Sequence, residues 1–151
     1  MTNIFSARFD GLDSLADIRR LTTVKPDPVA GLEELSPALA AERLSEVLKT
    51  IFLPNQFSLD FIKESVDRAR SFSAENFSTD KQYQRRLYHP LEDEAFPICL
   101  TGLAGVGKSQ TISALMKLMP GPEPYAPAHF HEPHTLISYW YASARGKAGG
   151  R

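Results

Sequence analysis

GLAGVGKS, residues Gly102 to Ser109, decides how the rest of this chain is read. It matches the pattern G-x-x-x-x-G-K-[ST] at every fixed position, the signature of a loop whose backbone amides cradle phosphate groups. Glycines let such a loop turn so that several N–H groups point at one phosphate, and the helix that follows presents its positive end to the same charge. The expected nucleotide-contacting residues are therefore Gly102, Leu103, Ala104, Gly105, Val106, Gly107, Lys108, Ser109 and Gln110. Lys108 is placed to reach the β- and γ-phosphates, and the Ser109 hydroxyl to coordinate Mg²⁺. The competing reading is a glycine-rich turn that fits by accident. With Gly at about 7% of average composition, a random chain of this length meets the whole pattern well under about one time in a hundred.

The flanks suit the loop. FPICLT before it is a short apolar run of the kind a strand buried on both faces shows. SQTISALMKLM after it reads as a helix with Ile112, Leu115, Met116 and Met119 facing inward. The proline-rich stretch from Pro120 to Pro133 reads as a loop, and HTLISYWYA, rich in β-branched and aromatic residues, as a second strand. The expected fold class is α/β: a helical N-terminal region, then the first β-strand, phosphate loop, helix and second strand of a truncated parallel sheet.

Three segments follow from the punctuation. Residues 1–35, broken by the Pro26–Pro28 turn, read as an extended arm or linker. Residues 36–90 read as helical. One helix opens at Ser36 and Pro37, carries Leu39, Leu44, Val47, Leu48 and Ile51, and stops at Pro54. A second carries Leu59, Ile62, Val66 and Ala69 on one stripe, with Ser58 as cap. A third, from about Thr79 to Tyr88, has Lys81, Arg85 and Arg86 on a basic side. Residues 91–151 hold the partial nucleotide-binding core.

Bulk composition bounds the classes available. With 151 residues the chain suits one ordinary domain, and 42% hydrophobic and 23% charged residues with a formal net charge of -1 exclude a strongly basic nucleic-acid binder. A single cysteine, Cys99, excludes an internal disulfide and a cysteine-based zinc site, and its apolar surroundings predict burial. The N-terminus lacks a basic head followed by an apolar core, and no apolar run approaches the roughly 20 residues needed to span a bilayer. The expectation is a cytoplasmic protein without a membrane partner.

FPICLTGLAGVGKSQTISALMKLM, preceded by a helical region, resembles the start of an AAA+ or related P-loop ATPase. More narrowly it is similar to the ATP-dependent regulators encoded by transposons of the TniB and TnsC type, over roughly residues 36–144. The resemblance implies ATP and Mg²⁺ as cofactors and a homo-oligomer assembling on DNA. It also implies a role in recruiting the transposase and helping to select the target. Gly102, Gly105, Gly107, Lys108 and Ser109 carry over onto the family's loop. Hydrolysis needs a second acidic strand end, and none follows Ser109; LISYW ends in Tyr141 and Ala142, and the upstream FSLDF falls in a helix. Sensor residues and the arginine finger are missing as well. The chain thus reads as the N-terminal, ATP-binding portion of such an ATPase, with no catalytic residue assigned. The alternative is a non-enzymatic helical module, residues 36–88, that docks a partner beside a vestigial nucleotide core.

Two further clusters stand apart from the loop. His129, His131 and His134 with Glu132 supply enough donors for a metal, but their spacing fits no common zinc pattern, and a solvated loop explains them. Tyr139, Trp140 and Tyr141, followed by Arg145, Lys147 and Arg151, join aromatic to basic residues as nucleic-acid-binding tails do. Ordinary strand packing explains the aromatics equally.

Overall fold

The computed structural model describes residues 4–89, 97–103, 105–127 and 132–142. In chain order the elements are α1 (Ile4–Ala7), α2 (Leu15–Thr22), a 3-10 turn (Leu32–Glu34), α3 (Pro37–Thr50) and α4 (Gln56–Asn76). They continue with α5 (Asp80–Tyr88), α6 (Lys108–Leu118), β1 (Glu123–Tyr125) and β2 (His134–Leu136).

The main core is built around α4. Leu59, Ile62 and Val66 recur at helical spacing on the stripe read from the sequence, and each is fully buried. Against them pack Phe9, Leu12 and Ile18 from the N-terminal segment and Ala114 from α6, with Ala69, Leu115, Leu118 and Met119 partly covered at the margin. All three segments of the sequence therefore meet in one core. The N-terminal segment is not the extended arm expected of it. Ser14 caps α2, its hydroxyl accepting from the Asp17 amide at 3.1 Å and donating to the Asp17 carboxylate at 2.6 Å. That donated bond, with Arg20 close by, holds the Asp17 carboxyl below the usual range. Ile18 is thereby turned into the core at 0% exposure.

α4 begins earlier than expected, because Asn55 rather than Ser58 is the cap and accepts from the Ser58 amide at 2.8 Å. This leaves the Ser58 hydroxyl inside, 2.9 Å from that of Thr111 on α6. Thr111 also reaches the Gly107 carbonyl at 3.1 Å. A hydroxyl has one proton, so Thr111 donates to Gly107 and Ser58 donates to Thr111.

α3 behaves differently. Pro37 occupies its first turn as expected, but the helix contributes no buried residue, and Leu39, Leu44 and Leu48 are 54%, 39% and 55% exposed. Its end is tied down by an isolated antiparallel bridge between Val24 and Phe52, with N–H···O bonds of 2.9 and 3.2 Å.

The strands depart from the expected parallel pair. Pro97–Thr101 carry no strand, and Cys99, expected buried, is exposed. Among the described residues no neighbouring strand offers them a ladder, and an apolar run alone does not make a strand. HTLISYWYA forms a strand only at His134–Leu136, which pairs antiparallel with Glu123–Tyr125. β1 lies between Pro122 and Pro127, residues without an N–H to extend the pairing. A smaller aromatic cluster fastens this hairpin to the helices. Phe5, Tyr83 and Tyr125 lie 4.9 to 5.3 Å apart by ring centroid, and the Tyr125 hydroxyl donates to Asp80 at 2.6 Å. The Arg8 guanidinium adds a hydrogen bond to the Gly121 carbonyl at 2.7 Å and an ion pair with Glu123 at 3.4 Å.

Two tests follow from this packing. Ile18→Ala removes a fully buried side chain and is expected to cost about 2–5 kcal/mol in a denaturant melt; an extended arm would lose almost nothing. Burial and the Asp80 carboxylate raise the Tyr125 phenol well above its ordinary value of 10.0. The unfolded chain therefore gives up this proton first. The Tyr125 contribution to stability is expected to be level below pH 10 and to fall away as the pH rises above it, and Tyr125→Phe should flatten that alkaline limb.

Candidate functional site

The loop leads directly into α6. Gly102, Gly105 and Gly107 all adopt positive φ, at 145°, 81° and 86°. Side chains other than glycine rarely tolerate this region, so the three motif glycines coincide with three positions that need glycine for backbone reasons. At Gly105 and Gly107 a Cβ would meet nothing within 4 Å. The requirement there is conformational and not one of space. Gly107 is the left-handed N-cap of α6, and its carbonyl accepts the first helical bond from Thr111 at 2.9 Å. Lys108, Ser109 and Gln110 then form the first turn, whose amides have no helical acceptor and carry the positive end of the dipole.

A lysine in that turn is electrostatically unfavourable unless something negative receives it. Here the Lys108 ammonium donates to the carbonyls of Gly102 and Leu103 at 2.7 and 2.6 Å, folding across the mouth of the loop. Leu103, Val106, Ser109 and Gln110 are exposed, so the outer face of the loop is open. Ala104 lies outside the described residues.

Ser109 and Gln110 also border a cavity of about 530 Å³ that runs along α6. One wall is α6 itself, with Ser109, Ser113 and Lys117 spaced at successive turns. The other is the end of α2 and the bridged segment, with Leu21, Thr22, Val24, Lys49, Thr50 and Phe52. Among the described residues no carboxylate lines it, and two lysines do. None of this second wall was expected from the sequence. The contribution of residues 21–24 and 49–52 depends on a long-range bridge.

The fit to a phosphate ligand is good: glycine-permitted turns, an exposed hydroxyl at Ser109, a cation at Lys108 and an adjoining cavity that no carboxylate lines among the described residues. Ser109 would supply one oxygen ligand to Mg²⁺. Among the described residues no group of three His, Cys, Asp or Glu is placed to hold a metal. Of the histidine cluster, His129 and His131 lie outside the described residues, Glu132 is exposed, and His134 sits in β2 with its ring 6.4 Å from Tyr83. Tyr139, Trp140 and Tyr141 do not alternate across a sheet. They lie beyond β2, where they border a cavity of about 150 Å³ with Ile112, Leu115, Met116 and Met119, and Trp140 is 88% exposed. Arg145, Lys147 and Arg151 lie outside the described residues. On α5, Lys81 and Arg85 are solvated, while Arg86 bonds Asn76 at 3.1 Å. Among the described residues no helix is long and apolar enough to cross a membrane.

No family model, curated protein or solved structure matches the chain.

Gly107→Ala tests the backbone requirement. Left-handed backbone costs a residue with a Cβ about 1–2 kcal/mol, with no clash to add to it. A loss of that size in a urea melt is expected, whereas an unchanged midpoint would mean that Gly107 is not held at positive φ.

Proposed function

We propose that the chain binds the phosphate groups of a nucleoside triphosphate, ATP with Mg²⁺, at Gly102–Ser109. One observation carries the reading. Among the described residues of the segment leading into α6, the three loop glycines are those that take positive φ, and the last of them caps that helix. A fortuitous glycine-rich match has no need to place its glycines at those positions. Lys108 supplies the cation, Ser109 the hydroxyl, and the amides of the first turn of α6 the remaining donors. No residue is assigned to hydrolysis.

More narrowly, the resemblance of FPICLTGLAGVGKSQTISALMKLM to transposon-encoded regulators supports a role as the ATP-binding portion of a P-loop ATPase. Such a protein would couple ATP binding to target DNA and to recruitment of a transposase, and would work as an oligomer in the cytoplasm. A second reading has its own support: α3 shows Leu39, Leu44 and Leu48 to solvent, as a helix that docks a partner protein would. In that reading the nucleotide loop is vestigial.

Titration with a fluorescent ATP analogue in the presence of Mg²⁺ separates the two. Saturable binding is expected, weakened by about 10- to 100-fold in Lys108→Ala, the range for losing a charge-assisted hydrogen bond. Absence of binding by the unaltered chain would overturn the nucleotide reading and leave α3 as the surface to pursue.

A further inference from the structure

We infer that Lys49 and Lys117 are ligand-binding residues, gripping from opposite walls of the cavity the part of the nucleotide that extends beyond the loop. The inference rests on the nucleotide reading of Gly102–Ser109 and adds to it two cations that the loop motif does not contain.

Both lysines line the cavity, and among the described residues no acidic side chain accompanies them there. Among the described residues neither has an ion-pair partner, although Arg8, Arg20, Lys63, Arg68 and Arg70 each have one. Two cations facing a shared concave space without a counter-charge repel one another and raise the local positive potential. An acceptor-rich ligand relieves both effects. Each lysine also suits the negative end of its own helix, since Lys49 closes α3 and Lys117 closes α6. That local benefit does not require either to face the cavity.

The geometry sets the length of the ligand. Ser109 and Lys117 are eight residues apart on one face of α6, about 12 Å at 1.5 Å per residue. A ligand that touches the loop and Lys117 together is therefore elongated, as a nucleoside triphosphate is and a single phosphate ion is not. Leu21, Val24 and Phe52 give the cavity an apolar side against which a base can lie. Lysine has donors only, so the groups it meets beyond the loop are acceptors: ribose oxygens or ring nitrogens.

The arrangement has a mechanical corollary. α3 buries no side chain, and Lys49 is in its last turn. A ligand held by Lys49 and by α6 adds a second tie to the end of α3, beside the Val24–Phe52 bridge.

The test compares Lys49→Ala, Lys117→Ala and Lys108→Ala with Lys81→Ala, which makes the same charge change on α5. Binding of the fluorescent ATP analogue is read directly, inorganic triphosphate is read by competition, and amide exchange is followed across residues 37–50. Lys49, Lys117 and Lys81 are all exposed, so their substitutions leave folding nearly unchanged. Expected is a roughly tenfold weakening of analogue binding in Lys49→Ala and in Lys117→Ala, with the affinity for inorganic triphosphate retained. Nucleotide should slow exchange in α3 of the unaltered chain and not in Lys49→Ala. If both variants bind the analogue as the unaltered chain does while Lys108→Ala does not, the lysine inference is wrong and the loop reading stands. The inference is equally overturned if Lys81→Ala loses as much, or if triphosphate binding falls in parallel, because net charge then explains the losses. If the unaltered chain binds no nucleotide, the loop reading fails and this inference fails with it.

Discussion

The Ser58–Thr111 hydrogen bond is the constraint on which the placement of the loop depends. Both hydroxyls are buried, and burying either without a partner costs about 1–3 kcal/mol. They satisfy each other, and Thr111 passes the chain on to the carbonyl of Gly107. One short relay thus joins the first turn of α4, the first turn of α6 and the last glycine of the loop. Because α4 also carries the fully buried Leu59, Ile62 and Val66, the loop is anchored to the most deeply packed part of the protein. A loop held in this way has its turn formed without a ligand, and any ligand that uses it meets a site with less ordering left to do.

Much of this could be read from the residues in advance, and the failures have physical causes. The stripe on α4 and the limits of α5 and α6 were legible because helical periodicity and caps are local signals. The glycines of the loop were legible because their role is set by backbone sterics at each position. The arm was misread because Phe5, Phe9, Leu12 and Ile18 reach buried positions from separate turns and follow no single period. DSLAD did hold a usable signal, in Ser14 and Asp17 at capping spacing. The strands were over-assigned for the opposite reason. FPICLT and HTLISYWYA have strand-like composition, yet a strand exists only where another segment supplies its ladder, and composition carries no information about that partner. The second wall of the cavity was illegible in the same way, since the Val24–Phe52 bridge joins residues 28 positions apart.

The cavity and the loop share an electrostatic character that overall composition conceals. A formal net charge of -1 suggests a nearly neutral surface. Lys108 nonetheless stands in the first turn of α6, and Lys49 and Lys117 line the cavity that runs along that helix, while carboxylates such as Asp17, Asp67 and Glu123 are occupied in ion pairs elsewhere. Local potential, and not total charge, is what an anionic ligand meets.

The prolines around β1 bear on how the protein meets other chains. A short hairpin normally leaves open edges where a foreign strand can add, the usual first step toward fibrous association. Pro122, Pro124 and Pro127 lack the N–H that such an added strand would need. Among the described residues the β1 side is therefore a poor template for further pairing by an extended peptide, wanted or unwanted.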